Sequence, residues 1–439
     1  MKRNVFIRGN YFVFITGLIF LNTACKKNNN STPPDVRITS ISPTKGSYGI
    51  TDTLHGIGFG NNIAEVQVFF GSVQAVIAQI KDNAIIVTVP KKAESGYISL
   101  VKGNQKISGP PFQYINTITV TTLVGKGFPG YVDGKTADAL FNFPRGIAMD
   151  AQGNIFVADF GNYCIRKISV DGNVTTIAGN SKKGYVDGPA ANASFAALNG
   201  LAFGHDGNLY IADATRIRKW SPNLNVITTV AGNANSGNTD GDGINATFGL
   251  PYSITTDNIG NLYATDVANN NVRKISKSAH VSTLAGSVQG FADGNGINAL
   301  FNFPGAIIFD SANAIMYVAD AGNFRVRTLN AAGDVFTYAG DGNYGYVDGR
   351  FFNAEFKFPT GITVDKKGNV YVCGEDDAVR KISVQGDVTT IAGSDQEGFL
   401  DGSGEKALFN QPIYMLTAPD GTIYVSDHSN HAIRKIVIE

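Results

Sequence analysis

Short runs rich in β-branched and other apolar residues follow one another along most of this chain. Gly, Asn, Asp and Ser break them at close intervals. Val66-Gln-Val-Phe-Phe70 and Ile85-Ile-Val-Thr-Val89 are examples near the start, and Ile155-Phe-Val-Ala158 and Val174-Thr-Thr-Ile-Ala178 are examples further on. Runs of this length bounded by turn residues predict β-strands joined by tight reversals.

From Gly130 onward the strands form a repeat. Gly130-Tyr-Val-Asp-Gly134 opens it, and four strand candidates follow at 146–150, 154–158, 165–169 and 174–178. Small residues in the first strand and β-branched ones in the last suit a blade that widens away from an axis. The opening Asp recurs at Asp133, Asp187, Asp240, Asp293, Asp348 and Asp401, at spacings of 53 to 55 residues. A fixed strand-rich period of this size predicts a propeller, here with six blades. The sixth repeat stops at Ile436-Val-Ile-Glu439 without its fourth strand, whereas Ile118-Thr-Val-Thr-Thr-Leu-Val-Gly125 carries that pattern ahead of the first repeat. Pairing of the two ends would close the ring and remove its open edges.

Composition narrows the class. Charged residues make up 16% of the chain, and 36 Lys plus Arg balance 36 Asp plus Glu. Without bulk positive charge, nucleic acid is not an expected partner. Cys25, Cys164 and Cys373 are widely separated, the latter two in different repeats, so no disulfide and no C-x-x-C metal or redox motif is expected.

The N-terminus reads as a targeting segment. Lys2, Arg3 and Arg8 precede the apolar run Tyr11–Leu21, which is too short to span a bilayer. Leu21-Asn-Thr-Ala-Cys25 resembles a bacterial lipobox, with Asn22 where Leu is usual. That resemblance implies a signal peptide over 1–24 and lipidation at Cys25. Residues 25–35 then form the acylated Cys and a flexible tether, and the protein is anchored to a membrane through lipid in the cell envelope, as an outer-membrane lipoprotein.

Residues 36–116 lack the repeat and predict a small sandwich. Ile41-Ser-Pro-Thr-Lys-Gly46, Gly56-Ile-Gly-Phe-Gly60 and Val66–Gly71 resemble an IPT/TIG domain, an immunoglobulin-like fold. Its single His55 is expected on the surface. Residues 117–439 resemble the NHL family, whose spacing is met at Pro144, Gly153, Asp159, Asn162 and Arg166. The Arg recurs at Arg218, Arg273, Arg327, Arg380 and Arg434. The Asp recurs at Asp213, Asp266, Asp320 and Asp427, with Gly374 as the exception. The expected fold class is therefore all-β: an immunoglobulin-like sandwich followed by a six-bladed NHL-type β-propeller, closed by strand 117–125.

A residue present in every blade serves the blade, so the repeated Asp and Arg are read as ion pairs, with Arg380 turning to Glu375 or Asp376. The loop aromatics Tyr131, Tyr185, Phe291, Tyr346 and Phe399 are read as wedges between neighbouring loops. Asp240-Gly-Asp-Gly243 resembles part of a calcium loop, but Gly249 stands where a bidentate Glu is needed, so no metal is expected.

Function is sought where the repeats differ. The position after the first-strand proline, its neighbour and the turns between second and third strands should ring the channel mouth. The candidate ligand-binding residues there are Arg145, Asn199, Tyr252, Thr360, Tyr414, Tyr163, Asn270, Phe324 and His428. Aromatic faces and planar donors suit a glycan or an envelope protein. No catalytic residue and no cofactor is assigned, and a monomer is expected. The alternative, a hydrolase or lyase at the channel mouth, lacks a G-x-S-x-G elbow and lacks histidines at equivalent positions of several blades.

Overall fold

The computed structural model describes residues 35–439, which fall into two compact units, one ending at Tyr114 and the other spanning Ile115–Glu439. The lipidation site proposed at Cys25 lies outside the described residues.

The first unit is a two-sheet sandwich. One sheet joins Arg37–Ser42, Thr51–Ile57, Ala84–Thr88 and Val76–Lys81; the other joins Lys45–Gly46, Gln105–Tyr114, Gly96–Lys102, Val66–Phe70 and Val73–Gln74. Alternation sets the inner faces: Val66, Val68 and Phe70 point into the core with Leu54, Ile85, Val87, Ile98 and Leu100. His55 is exposed on its strand.

The second unit consists of six five-stranded sheets, the blades. In the first blade Pro144–Met149 is innermost, followed outward by Ile155–Asp159, Cys164–Ile168 and Asn173–Ala178. A two-residue strand, Gly134–Lys135, pairs outside the last of these. This fifth strand, repeated in every blade, was not expected from the sequence, because two residues carry no periodicity. The sixth blade combines Pro412–Thr417, Ile423–Asp427 and Ala432–Ile438 with Ile118–Val124 from the other end of the unit. Ile118 faces Ile438 and Thr122 faces Arg434 in an antiparallel ladder.

Five of the six inner strands begin with a proline, which is tolerated because this edge faces the axis and needs no donor there. The ladder shifts register immediately after that first residue in all six blades. Arg145, Asn199, Tyr252, Gly305, Thr360 and Ile413 fall in these irregularities, out of the regular pairing. The fold thereby frees from each blade one position, at one end of the channel, whose side chain varies.

Cys164 and Cys373 are both free and buried.

Candidate functional site

The repeated charges hold the blades together. Arg166 donates to Asp159 at 2.8 Å and to Asp133 at 2.6 Å, and its side chain is wholly buried. Asp133 also accepts from the Thr176 amide on the outer strand, so one loop carboxylate ties two strands to its blade. The arrangement recurs at Arg218, Arg273, Arg327 and Arg434. In the fifth blade, where Gly374 replaces the strand Asp, Arg380 takes Asp376 at 3.2 Å instead. Burial pushes the Asp159 carboxyl up to about 6 against the opposing pull of Asn162, the Asn142 amide and Arg166.

The loop aromatics lie against the arginines of the blades, and Phe399 also packs beside Gly127 of the neighbouring loop. Tyr131, Phe291, Tyr346 and Phe399 lie about ring-to-cation distance from Arg166, Arg327, Arg380 and Arg434, at 4.9 to 5.1 Å. Phe141, Phe301, Phe356 and Phe409 lie at similar distances from the same guanidinium groups. In the second blade Tyr185 instead stacks on Arg216, 4.0 Å from its guanidinium carbon. The partial calcium motif is occupied otherwise: Asp240 pairs with Arg273, and Asp242 lies 2.6 Å from His280. Among the described residues no three His, Cys, Asp or Glu side chains converge as a metal site.

At the mouth, the structure brings together Arg145, Asn199, Tyr252, Tyr414 and His428. Arg145 Nη1 donates to Asn199 Oδ1 at 2.6 Å, and its guanidinium carbon sits 3.6 Å from the Phe160 ring centre. Asn199 in turn donates from Nδ2 to the Pro251 carbonyl, so three blades meet through it. Tyr252 and Tyr414 stack across the channel with ring centres 5.3 Å apart, and the Tyr414 hydroxyl donates to the Tyr252 carbonyl. Burial pushes the Tyr252 hydroxyl up to about 12 and the Tyr414 hydroxyl well above its ordinary value, so both stay protonated. His428 donates from Nδ1 to the Pro144 carbonyl at 3.1 Å. Its burial, reinforced by Arg145, lowers its pKa to about 4 and keeps it neutral at pH 7.

These placements change the reading of four residues. Asn199, Tyr252, Thr360 and Tyr414 are buried, at 1%, 8%, 7% and 5% exposure. Tyr252 and Tyr414 close over the channel, and none of the four presents itself around an open rim. The reason is that inner strands beginning with residues this bulky leave an axis that two tyrosine rings fill. Below this plug lies a cavity of about 250 Å³, lined by Ile147, Met149, Leu201, Phe203, Ile254 and Leu416.

Three other candidates serve the backbone or the periphery. Asn270 accepts the Phe303 amide of the next blade at 2.9 Å. Tyr163 holds a left-handed turn at φ 50°. Phe324 packs edge-on against Tyr344, 5.3 Å away, and not with the residues at the axis. Sequence reasoning missed Phe143, Phe303 and Phe358, which precede the inner-strand prolines at φ 53°, 51° and 42°. Phe303 touches both Tyr252 and Phe358, and Phe143 packs on His428 and His431. The recurring Phe-Pro was the signal available for them.

The comparisons with known proteins agree with this architecture. The IPT/TIG domain profile matches residues 36–114, the NHL repeat profile matches 141–168 and a β-propeller repeat profile matches 357–375. The chain thus carries an IPT/TIG domain and a six-bladed propeller with NHL and β-propeller repeats. Among curated relatives, NHL repeat-containing protein 2 of Gallus gallus is 29% identical over 67% of this chain and 48% of its own length. Protein SUPPRESSOR OF QUENCHING 1, chloroplastic, of Arabidopsis thaliana is 29% identical over 59% of this chain and 26% of its own. The chain therefore spans between about a quarter and a half of these relatives. Among solved structures, a Bacteroides thetaiotaomicron protein of unknown function has a TM-score of 0.62 at 22% identity, covering 94% of this chain and 99% of its own. A Bacteroides ovatus protein described as an auxiliary nutrient binding protein has a TM-score of 0.59 at 17% identity, covering 93% and 99%. At these identities the likeness is one of fold.

Proposed function

We propose that this chain is a lipid-anchored binding protein of the cell envelope, possessing a propeller whose channel mouth takes a glycan. The observation that carries the reading is the gathering of unlike residues at one end of an otherwise repetitive ring. Arg145, Phe143, Phe160 and His428 adjoin there, where other blades place Gly305 or Ile413. Aromatic faces beside a planar donor are suited to sugar rings. The binding role in the name of the Bacteroides ovatus neighbour is of the same kind. The anchor would be acyl chains on Cys25, with residues 26–35 as the tether.

The test is binding of the full-length protein, in detergent, to a broad panel of oligosaccharides. Saturable binding that Arg145→Ala weakens is expected. Absence of binding across the panel would redirect the mouth to an envelope protein, and unchanged binding in the variant would remove the site from this face. Incorporation of labelled fatty acid, lost in Cys25→Ala, checks the anchor.

A further inference from the structure

Arg145 differs from the arginines around it. Each of the six wholly buried arginines of the blades has two aspartates. Among the described residues Arg145 has none: its Nη1 is held by the neutral Asn199, and its Nε, like that of Arg273, Arg327 and Arg434, is buried without a hydrogen-bond partner. The titratable groups beside it are His428, Tyr252 and Tyr414, none of which supplies a negative charge at neutral pH. A half-buried guanidinium without a counterion is poorly solvated and uncompensated, and an anion relieves both deficits.

The group is also held in place before any ligand arrives. Phe160 covers one guanidinium face, Asn199 fixes one edge, and Asn199 is itself pinned to the Pro251 carbonyl. Preorganisation of this kind reduces the entropic cost of binding. Asn199 takes a single N–H, which leaves Nη2 to engage a carboxylate in plane. Because positive and negative residues balance over the whole chain, at 36 each, the field here is local and does not belong to a general basic surface.

Building on the proposed glycan-binding role, the geometry points to an acidic saccharide, with the carboxylate of a uronic acid residue seated on Arg145. The exposed ring of Phe143, 39% accessible and two residues away, offers the apolar face on which a pyranose ring packs. That pairing favours a sugar acid, whose ring and carboxylate are directly joined, over a peptide carboxylate, whose backbone carries no ring beside it.

Calorimetry on the full-length protein in detergent tests this with four ligands: an oligouronate, its methyl ester, a neutral oligosaccharide and a short peptide with a free C-terminus. The oligouronate is expected to bind at least about tenfold more tightly than its ester. Arg145→Gln should remove that difference at an unchanged melting temperature, and Arg145→Lys should restore part of it. Equal binding of ester and acid, or an acid preference that survives Arg145→Gln, would overturn the inference while leaving a glycan receptor standing. Preference for the peptide would overturn the saccharide assignment. No binding of any of the four would overturn it together with the broader reading.

Discussion

His431 Nδ1 accepts a hydrogen bond from the Phe143 amide at 3.0 Å, joining the last turn of the sixth blade to the residue that enters the first. Asn270 and Phe303 make the same contact between the third and fourth blades, at 2.9 Å, and Asp377 and Gln411 between the fifth and sixth, at 2.7 Å. A side chain in a left-handed turn thus caps the following blade at three seams, and at two of them, Asp377 and, at the ring closure, His431, that side chain is titratable.

Acid should weaken this seam. Burial lowers the pKa of His431 below its ordinary 6.5, so the unfolded chain takes up the proton at higher pH than the folded one. The stability that depends on neutral His431 is complete above 6.5 and is lost as pH falls below it. His431→Asn keeps an acceptor, as Asn270 shows, and removes the titration. The melting temperatures of wild type and His431→Asn should lie close at pH 8, and the wild type should fall behind as pH drops through 6. Parallel pH profiles would refute a titrating role for His431.

The two aspartates on each blade arginine should differ in weight. Asp159 is buried with Arg166, whereas the Asp133 side chain is 46% exposed. Asp159→Ala leaves a buried guanidinium short of charge and should cost about 3–5 kcal/mol in denaturant unfolding. Asp133→Ala should cost distinctly less, since water replaces part of what it supplies. The reverse order would show that the loop, and not the strand, carries the arginine.

A glycine ends the outer strand in each repeat for a steric reason. Gly286 has φ 90°, and an added Cβ would lie 2.5 Å from the Asn270 carbonyl oxygen. Gly179 would meet the Tyr163 carbonyl at 2.6 Å in the same way. Gly286→Ala should therefore destabilise by roughly 1–3 kcal/mol, measured as a shift of the urea midpoint at constant slope. A variant as stable as wild type would mean that the turn yields readily.

Ring closure rests on one strand from the start of the unit. Deleting residues 117–124 removes the partner of Ala432–Ile438 and uncovers an edge. The shortened protein should self-associate on size-exclusion chromatography, and its propeller should melt less cooperatively than in wild type. A monomeric, cooperatively melting product would show that five complete blades and a three-stranded sixth suffice.

The sequence by itself determined the four long strands of each blade, the six-fold repeat and the blade ion pairs. Each of these is a local pattern recurring at fixed spacing: Val174-Thr-Thr-Ile-Ala178 finds its equivalents without any knowledge of space, and Arg380 without its strand aspartate points to Glu375 or Asp376, between which the structure chose Asp376. Tertiary structure decided the character of the mouth. Tyr252 and Tyr414 are separated by 162 positions, and only the closed ring brings their rings into a stack that shuts the channel. The isolation of Arg145 is equally invisible in one dimension. Whether a cation has a counterion depends on every neighbour that the fold assembles around it, and here those neighbours are Asn199, Phe160, His428 and two protonated tyrosines. Periodicity reveals what the blades share; the approach of residues distant in sequence decides what one end of the ring can hold.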